Sequence, residues 1–384
     1  MQHREQQIDY ILLTILGCLF IFSLIAVYSG SGQYTLDDSF FFVKRQVIWY
    51  IIGIIIMFGI AYFDFELLDR VAIYLYTVGV GLLLVVHFFG TTKNGSQRWI
   101  DLGIFDLQPS EFIKIFLILQ LGVLLSKIGE NRIAFLASIP VTLKIALYST
   151  IPFLLILIQP DLGSALMIAA IAASMILVSS ISFKMIGLLL ASGVGMILSL
   201  ILLFQYNFEL FSKIFKPHQM GRIYGWLSPN EYASDYGYQL KQAITGIGAG
   251  QLTGAGFNQG VQVQSGKVPE AHTDFIFAVI GEDFGFIGAS ILITLYFILI
   301  YRIIAIALRS NSLFGVYICI GAVGLFGFQV FQNIAMTVGL MPITGLPLPL
   351  ISYGGSALLT NFIALGLVLS VQIRSRDYMF SDNN

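Results

Sequence analysis

The segment Pro269–Asp274 brings several proton-transfer groups together where a polar stretch of the chain meets an apolar one. Its residues Glu270, His272 and Asp274 are followed directly by the apolar run Phe275–Ile280. Ionisable groups at such a boundary cost free energy unless they are solvated or paired, so they usually mark a functional site. Two carboxylates and an imidazole suit either proton abstraction or the binding of a divalent cation.

Asp274 is the strongest candidate for the reactive group of this segment. If the segment is helical, Glu270 and Asp274 lie one turn apart on the same face. A helix amino terminus would lower the pKa of Asp274, whereas burial and the charge of Glu270 would raise it. Each residue also has a simpler explanation, since Asp274 could only cap a helix and His272 could be an interfacial histidine without a ligand.

Two further clusters precede this segment in the chain. Arg98 and Trp99 belong to the polar stretch Lys93–Asp101, where a tryptophan often serves only as an interfacial anchor. Glu111 and Lys114 are three residues apart and therefore share a face of the helix. Such a pair inside a membrane can be purely structural, but intramembrane charges almost always face the bundle interior or a watery cavity. Both interpretations stay open.

Asp161, within Gln159–Gly163, places another carboxylate at a helix junction. It could cap the following helix, a role worth only ~1 kcal/mol, or it could form part of a ligand site. The glycine-rich stretch Gly246–Gly256 does not have the spacing of a dinucleotide-binding loop, nor a βαβ context. Its glycines are expected to allow tight packing or mobility beside the site.

The composition predicts an integral membrane protein. Of 384 residues, 57% are hydrophobic and 11% are charged, whereas soluble domains carry roughly 25% charged residues. The net charge of −1 gives no reason to expect nucleic-acid binding. Cys18 and Cys319 lie in apolar runs, which indicates neither a disulfide nor a metal site. The first apolar run, Ile11–Val27, lacks an obvious cleavage site and is interpreted as a retained helix.

The hydropathy pattern predicts an all-α polytopic fold of about ten transmembrane helices in a single domain, residues 1–384. A span needs about 20 apolar residues, and the candidates are Tyr10–Tyr28, Val47–Phe63, Val71–Phe89, Ser110–Leu125, Ile145–Ile158, Ser164–Ser180, Met185–Phe204, Phe275–Tyr301, Leu313–Val338 and Gly354–Ile373. A long loop, residues 205–274, separates helices 7 and 8. The Pro/Gly-rich stretch Asn333–Ser356 separates helices 9 and 10, and irregular backbone at membrane depth is tolerated only where it is buried or lines a cavity.

The distribution of Lys and Arg predicts that both termini are cytoplasmic. The expected inner set is Arg4, Arg70, Lys127, Arg132, Lys144, Lys184, Arg302, Arg309, Arg374 and Arg376. The short outer loops hold only Lys44, Arg45, Lys93 and Arg98. Loop 205–274 and Asp274 are therefore expected on the outer side of the membrane.

Five motifs, in this order along essentially the whole chain, resemble the SEDS family of bacterial cell-wall proteins (the RodA/FtsW/SpoVE group). They are Arg98-Trp99, Gln108-Pro109-Ser110-Glu111 with Lys114, Gln159-Pro160-Asp161-Leu162-Gly163, Pro269–Phe275 and Asn333–Ser356. Within the family, the short tails and the segment Gly221–Leu227 are most similar to RodA. One departure is Asp283, where a second glutamate is expected after Gly281-Glu282; the charge is kept.

The resemblance implies a peptidoglycan glycosyltransferase that polymerises lipid II on the outer face of the bacterial cytoplasmic membrane, for cell elongation and rod shape. By this analogy, Asp274 is the general base that deprotonates the acceptor hydroxyl, and the reaction inverts the donor anomeric carbon. The side chains expected to contact the substrate are Arg98, Trp99, Glu111, Lys114, Asp161, Lys267, Glu270, His272 and Ser352. A divalent cation (Mg²⁺ or Mn²⁺) is expected, with Asp274, Glu270 and Asp161 as candidate ligands.

Two alternatives and one partner accompany this interpretation. A lipid II flippase would also use many spans and broken backbone, and a division or sporulation paralogue would share the same motifs. The expected partner is a class B penicillin-binding protein, a single-span transpeptidase. Gly321, Gly324 and Gly327 recur every three residues, so they could form a docking face for this partner or could pack against the protein's own helices.

Overall fold

The computed structural model describes residues 9–32, 40–93, 96–101, 103, 106–214, 217–232 and 237–378. All ten predicted spans are helices: α1 (Tyr10–Ser31), α2 (Phe41–Tyr62), α3 (Leu68–Phe89), α4 (Pro109–Ser126), α5 (Phe135–Ile158), α6 (Leu162–Val178), α7 (Phe183–Tyr206), α12 (Ile276–Ala307), α13 (Leu313–Thr337) and α14 (Gly355–Tyr378). Nine of these helices are long and apolar enough to cross a membrane, and α6, with 17 residues, is shorter. The fold is therefore the all-α, multi-pass membrane architecture that the hydropathy predicts.

The polar segments between the spans contain regular structure that the sequence analysis did not predict. The strands β1 (Thr91–Lys93), β2 (Ser96–Asp101) and β3 (Asp106–Leu107) form an antiparallel sheet in the order β1-β2-β3. The long loop contains four short helices: α8 (Phe208–Ile214), α9 (Pro217–Leu227), α10 (Tyr238–Gly250) and α11 (Val261–Gln264). The strands, α8 and α11 are too short for a reliable periodic signal, whereas α9 and α10, with 11 and 13 residues, were missed because they lie in a polar, glycine-rich segment.

The centre of the bundle is formed by α4, α13 and α14, which are the most buried spans. Small residues let these helices approach closely, as expected for helix packing in a membrane. A Cβ atom at Gly321 would lie 2.5 Å from the Ile118 side chain of α4, and one at Gly324 would collide with Ser174 of α6. Of the two alternatives for these glycines, Gly321 and Gly324 follow the second and pack against the protein's own helices. Gly327 is less crowded, since a Cβ there would meet only Ile300 at 3.9 Å.

Helix α12 is 32 residues long and is broken at Gly285, whose φ is 60° and ψ −156°. At the break, the Phe286 N–H donates to the Gln251 carbonyl (2.9 Å), and the next amide donates to the Leu252 carbonyl (3.1 Å). A Cβ at Gly254 would collide with the Asp283 carbonyl. The glycine-rich stretch after α10 therefore docks directly onto α12, which confirms tight packing as the use of these glycines.

Ion pairs at the opposite end of the bundle join the termini of several helices. Arg302 Nε donates to Asp9 Oδ2 (3.0 Å), and Arg374 Nε lies 3.1 Å from Asp64 Oδ1. Arg302 and Arg374 belong to the set predicted to be cytoplasmic. Arg4, from the same set, lies outside the described residues, so the position of the termini relative to the membrane stays a prediction.

Candidate active site

Asp274 lies in a compact turn that ends where α12 begins. The N–H groups of Thr273 and Phe275 both donate to the Glu270 carbonyl, at 3.2 and 3.1 Å. Glu270 has a φ of +53°, which no α-helix contains. The helical spacing assumed for Glu270 and Asp274 is therefore wrong. The turn nevertheless keeps the two carboxylates close enough for the charge of Glu270 to raise the pKa of Asp274.

The Pro/Gly-rich loop between α13 and α14 holds this turn from the other side. Ser352 Oγ donates to the Thr273 carbonyl (2.6 Å), and the Tyr353 N–H donates to the His272 carbonyl (3.0 Å). Asn333 Nδ2 donates to the carbonyls of both Asp274 (2.8 Å) and Leu346 (2.7 Å), so one amide joins the turn to the loop. The loop thus fixes the backbone that carries the acid.

Side chains from the spanning helices hold the loop in turn. The carbonyls of residues 347–351 would be unsatisfied at membrane depth without donors. Gln329 donates to the Pro347 carbonyl (2.9 Å), and Ser23 donates to the Ile351 carbonyl (2.8 Å). The hydroxyls of Tyr50 and Tyr296 donate to the two carbonyls that precede Ile351. The irregular loop is therefore buried and anchored by hydrogen bonds from several helices, as predicted for irregular backbone in a membrane protein.

Asp161 performs two roles at the start of α6. Its Oδ1 accepts the Ser164 N–H (3.0 Å), which is an N-cap. Its Oδ2 lies 3.3 Å from Arg98 Nη1 and accepts a hydrogen bond from Gln108 Nε2 (3.3 Å). The side chain is buried, so this network joins β2, α4 and α6 at the wall of the site. The N-cap role of Asp161 is confirmed, and its role in a ligand site stays a prediction.

The environment of Asp274 combines burial with opposing charges. Burial, first, and then the carboxylates of Glu270 and Asp161 raise its pKa from 3.8 to about 6, while Arg98 and Arg222 act to lower it. The backbone of Gly345 lies against the carboxylate, because a Cβ there would be 3.1 Å from Asp274 Oδ2. A half-buried carboxylate with a pKa of about 6 suits a general base near neutral pH.

Glu111 and Lys114 form the ion pair that their spacing predicts. Lys114 Nζ lies 2.8 Å from Glu111 Oε1, and both side chains are almost completely buried. The pair lies in the first turns of α4, one turn after Gln108, which contacts Asp161. The pair therefore belongs to the polar end of the bundle. It is not among the groups that most affect the pKa of Asp274.

Three other predicted site residues occupy different surroundings. His272 is buried between the rings of Phe42 and Tyr353, at centroid distances of 4.4 and 5.8 Å, and burial lowers its pKa. Lys267 is exposed after α11 and is not among the charged groups that most affect Asp274. Trp99 is half-buried in β2, with the Arg98 guanidinium 6.0 Å from its ring centre. A direct role for Lys267 in substrate binding has no support from its position.

Two charged residues with a role in or beside the site were not predicted from the sequence. Arg222 lies on α9, and its charge acts on Asp274. Glu282 is buried in α12, where its two carboxylate oxygens accept the N–H groups of Gln262 (2.7 Å) and Val263 (3.0 Å) and hold α11 in place. A charge within an apolar run was the available signal for Glu282. Arg222 had no comparable signal, since it lies in a polar loop.

Among the described residues, no group of three or more His, Cys, Asp or Glu side chains could hold a metal ion. Mg²⁺ is commonly bound through only one or two carboxylates, with substrate phosphates and water completing the octahedron. Asp274 and Glu270 fit that arrangement better than Asp161, whose oxygens are already engaged by Arg98, Gln108 and Ser164. The divalent cation stays a prediction, with Asp274 and Glu270 as the better candidate ligands.

Comparisons with known proteins agree with the motifs and the fold. The family model FTSW_RODA_SPOVE, "Cell cycle protein", matches residues 7–377. "Stage V sporulation protein E" of Bacillus subtilis is 35% identical, over 98% of this chain and 100% of its own length. "Peptidoglycan glycosyltransferase MrdB" of Escherichia coli is 34% identical, over 95% of this chain and 93% of its own.

A solved structure, "Structural coordination of polymerization and crosslinking by a peptidoglycan synthase complex", superimposes with a TM-score of 0.77 at 27% identity. The match covers 98% of this chain and 99% of the chain in that structure. Sequence, motif order and fold thus agree over the full length of the described bundle. The chain is a multi-pass membrane protein that belongs to the SEDS family, the FtsW/RodA/SpoVE group.

Proposed function

We propose that the protein is a peptidoglycan glycosyltransferase that polymerises lipid II on the outer face of the cytoplasmic membrane. The observation that carries this proposal is Asp274, a half-buried carboxylate with a pKa of about 6, whose backbone is held by hydrogen bonds to the Pro/Gly-rich loop and whose charge is influenced by two arginines. Its relative in Escherichia coli is named for the same activity. The alternatives within the family, division and sporulation, use the same chemistry, and we propose the elongation role.

In the proposed reaction Asp274 is the general base. It accepts the proton of the acceptor's 4-hydroxyl as that oxygen forms a bond with the donor's anomeric carbon. The bond between this carbon and the pyrophosphate oxygen breaks on the opposite face, and the electron pair leaves with the pyrophosphate lipid. The configuration at the anomeric carbon is inverted. Pyrophosphate is a good leaving group, so the step requires positive charge near it more than a proton.

Arg98 is positioned to supply part of that positive charge. Its Nη1 lies 3.3 Å from Asp161 Oδ2, and this ion pair fixes the position of the guanidinium. A guanidinium binds phosphate oxygens through paired donors. A divalent cation, when bound, would neutralise charge on the pyrophosphate, with Asp274 and Glu270 as its ligands from the protein.

The lipid-linked substrate explains why the site belongs to a membrane bundle. The site residues lie at one end of the spans, where a lipid can enter sideways while its head group reaches the polar loops. We assign this end to the outer side and both termini to the cytoplasm, from the distribution of Lys and Arg. A flippase would be expected to carry its polar site at the midplane.

A transpeptidase of the class B penicillin-binding protein type is the proposed partner. Polymerising a strand and cross-linking it are successive reactions on one product, so tethering the second enzyme raises its effective concentration. The solved relative belongs to a peptidoglycan synthase complex that coordinates these two activities. The docking face does not include Gly321 and Gly324 of α13, which are buried against α4 and α6.

The test is polymerisation of purified lipid II by the purified protein in detergent. The Asp274→Ala variant should lose about 10²- to 10⁴-fold in rate, while it is inserted in the membrane as the wild type is. Asp101→Ala is the matched control, because Asp101 is an exposed carboxylate on β2. Equal rates for wild type and Asp274→Ala would refute the assignment of the base.

A further inference from the structure

The short helix α9 is fastened to the Pro/Gly-rich loop by two side chains from one of its faces. Trp226 Nε1 donates to the Gly339 carbonyl (2.9 Å), and Arg222 Nη1 donates to the Ile343 carbonyl (3.3 Å). The two side chains are four residues apart and therefore neighbours on the helix surface. These bonds join the long loop, residues 205–274, to the Pro/Gly-rich loop that positions Asp274.

Arg222 thereby reaches the immediate surroundings of the acid. Its acceptor, Ile343, is two residues before Gly345, whose backbone lies against the Asp274 carboxylate. The positive charge of Arg222 lowers the pKa of Asp274, which agrees with this placement. A purely structural clamp would not need a charge, since the Trp226 indole makes the equivalent bond without one.

The negative charges of the site favour a second positive group, Arg222, in addition to Arg98. The carboxylates of Asp161 and Glu270 both act on Asp274, and Arg98 already uses one nitrogen on Asp161. A pyrophosphate adds further negative charge to a region that is partly shielded from water. Arginine side chains are the usual partners of such groups, because their planar donors match pairs of phosphate oxygens.

We propose that Arg222 binds the pyrophosphate of the lipid-linked donor and, with Arg98, neutralises the leaving group. This inference rests on the proposed glycosyltransferase function and assigns a further residue to the same site. When the bond from the anomeric carbon to the pyrophosphate oxygen breaks, the negative charge left on the pyrophosphate develops between the two guanidinium groups. The proton of the acceptor hydroxyl goes to Asp274, so Arg222 takes no part in proton transfer.

The test measures binding separately from turnover. Undecaprenyl pyrophosphate is titrated into the full-length protein in nanodiscs, with the variants Arg222→Gln, Arg222→Lys and Trp226→Phe. Glutamine removes the charge and, because its side chain is two bonds shorter than that of arginine, also the bond to the Ile343 carbonyl. Arg222→Lys keeps the positive charge, and Trp226→Phe removes the neighbouring clamp without changing any charge. We expect Arg222→Gln to weaken binding by about 10- to 100-fold, Arg222→Lys to weaken it less, and Trp226→Phe to stay within about threefold.

Two results would overturn the inference. One is binding of undecaprenyl pyrophosphate by Arg222→Gln within threefold of wild type, and the other is an equal loss in Trp226→Phe. If the wild type polymerises lipid II and Arg222→Gln binds undecaprenyl pyrophosphate with unchanged affinity, Arg222 is excluded as a pyrophosphate ligand and the proposed function stands. If the wild type binds the pyrophosphate lipid without polymerising lipid II, the proposed function fails and the binding data alone decide the role of Arg222.

Discussion

Replacing Asp274 by asparagine should make the protein both inactive and more stable. The structure raises the pKa of this carboxyl from 3.8 to about 6, mainly by burial. The ionised form is therefore disfavoured in the folded state, and each pKa unit corresponds to about 1.4 kcal/mol. Because the side chain is only half-buried, we expect the ionised carboxylate to cost about 1–3 kcal/mol of folding free energy at neutral pH. Asparagine removes that cost together with the base.

The sign of the pH dependence follows from the direction of the shift. The folded state holds the Asp274 proton more tightly than the unfolded state, so the associated stability is fully present below pH 3.8 and is lost as the pH rises through about 6. The thermal advantage of Asp274→Asn over wild type should therefore be largest above pH 7 and should vanish near pH 4. Polymerisation has the opposite dependence, since the base must be ionised.

The size of the effect can be calculated for the dependence of the polymerisation rate on pH. With a pKa of about 6, only about one tenth of the base is ionised at pH 5, so the rate there should be about tenfold below the plateau. A carboxyl with its ordinary pKa of 3.8 would lose only about 6% of its activity at pH 5. Glu270→Gln should move the fall in rate to lower pH, because the negative charge that raises the pKa of Asp274 is removed.

The assays are glycan-strand formation from purified lipid II between pH 4.5 and 8, and thermal denaturation of the same detergent preparations. Asp101→Asn is the control for the loss of an exposed carboxylate. The reasoning is refuted if Asp274→Asn melts below wild type at pH 7.5, if it polymerises lipid II at near wild-type rate, or if the wild-type rate stays flat down to pH 5.

Four further predictions follow from the same structure. Excess chelator should abolish turnover, and undiminished turnover would remove the divalent cation and leave arginines to neutralise the pyrophosphate. Reversing either charge of the Glu111–Lys114 pair should cost roughly 3–5 kcal/mol of folding stability, and the charge-swapped double variant should recover part of it; additive effects would contradict the 2.8 Å contact. Asn333→Leu should reduce the turnover rate more than it raises KM, because its amide fixes the Asp274 backbone without being placed to contact substrate; a change confined to KM would contradict this. Gly324→Leu should destabilise the protein without selectively weakening co-purification with a transpeptidase, and selective loss of the complex in a normally stable variant would restore this face as the docking site.

Much of this protein was predictable from its sequence, since a membrane imposes strong constraints on composition. Runs of about 20 apolar residues have few alternatives to a spanning helix, and all ten predicted spans are present. The contact between Glu111 and Lys114 followed from helical spacing alone, as did the N-cap role of Asp161. Asp274 was identifiable because a carboxylate at the edge of an apolar run is uncommon.

Tertiary structure decided what surrounds Asp274. Glu270 and Asp274 share a turn with a positive φ and not a helix face, since the loop after α13 pulls the Thr273 carbonyl out of helical register. Arg222 enters the site from more than 50 residues away, because α9 bonds to carbonyls of that loop. Local sequence determines propensity and spacing within one element, whereas the pKa of a carboxylate depends on charges and burial contributed by several elements. The identity of the acid was therefore in the sequence, and its electrostatic environment arose only on folding.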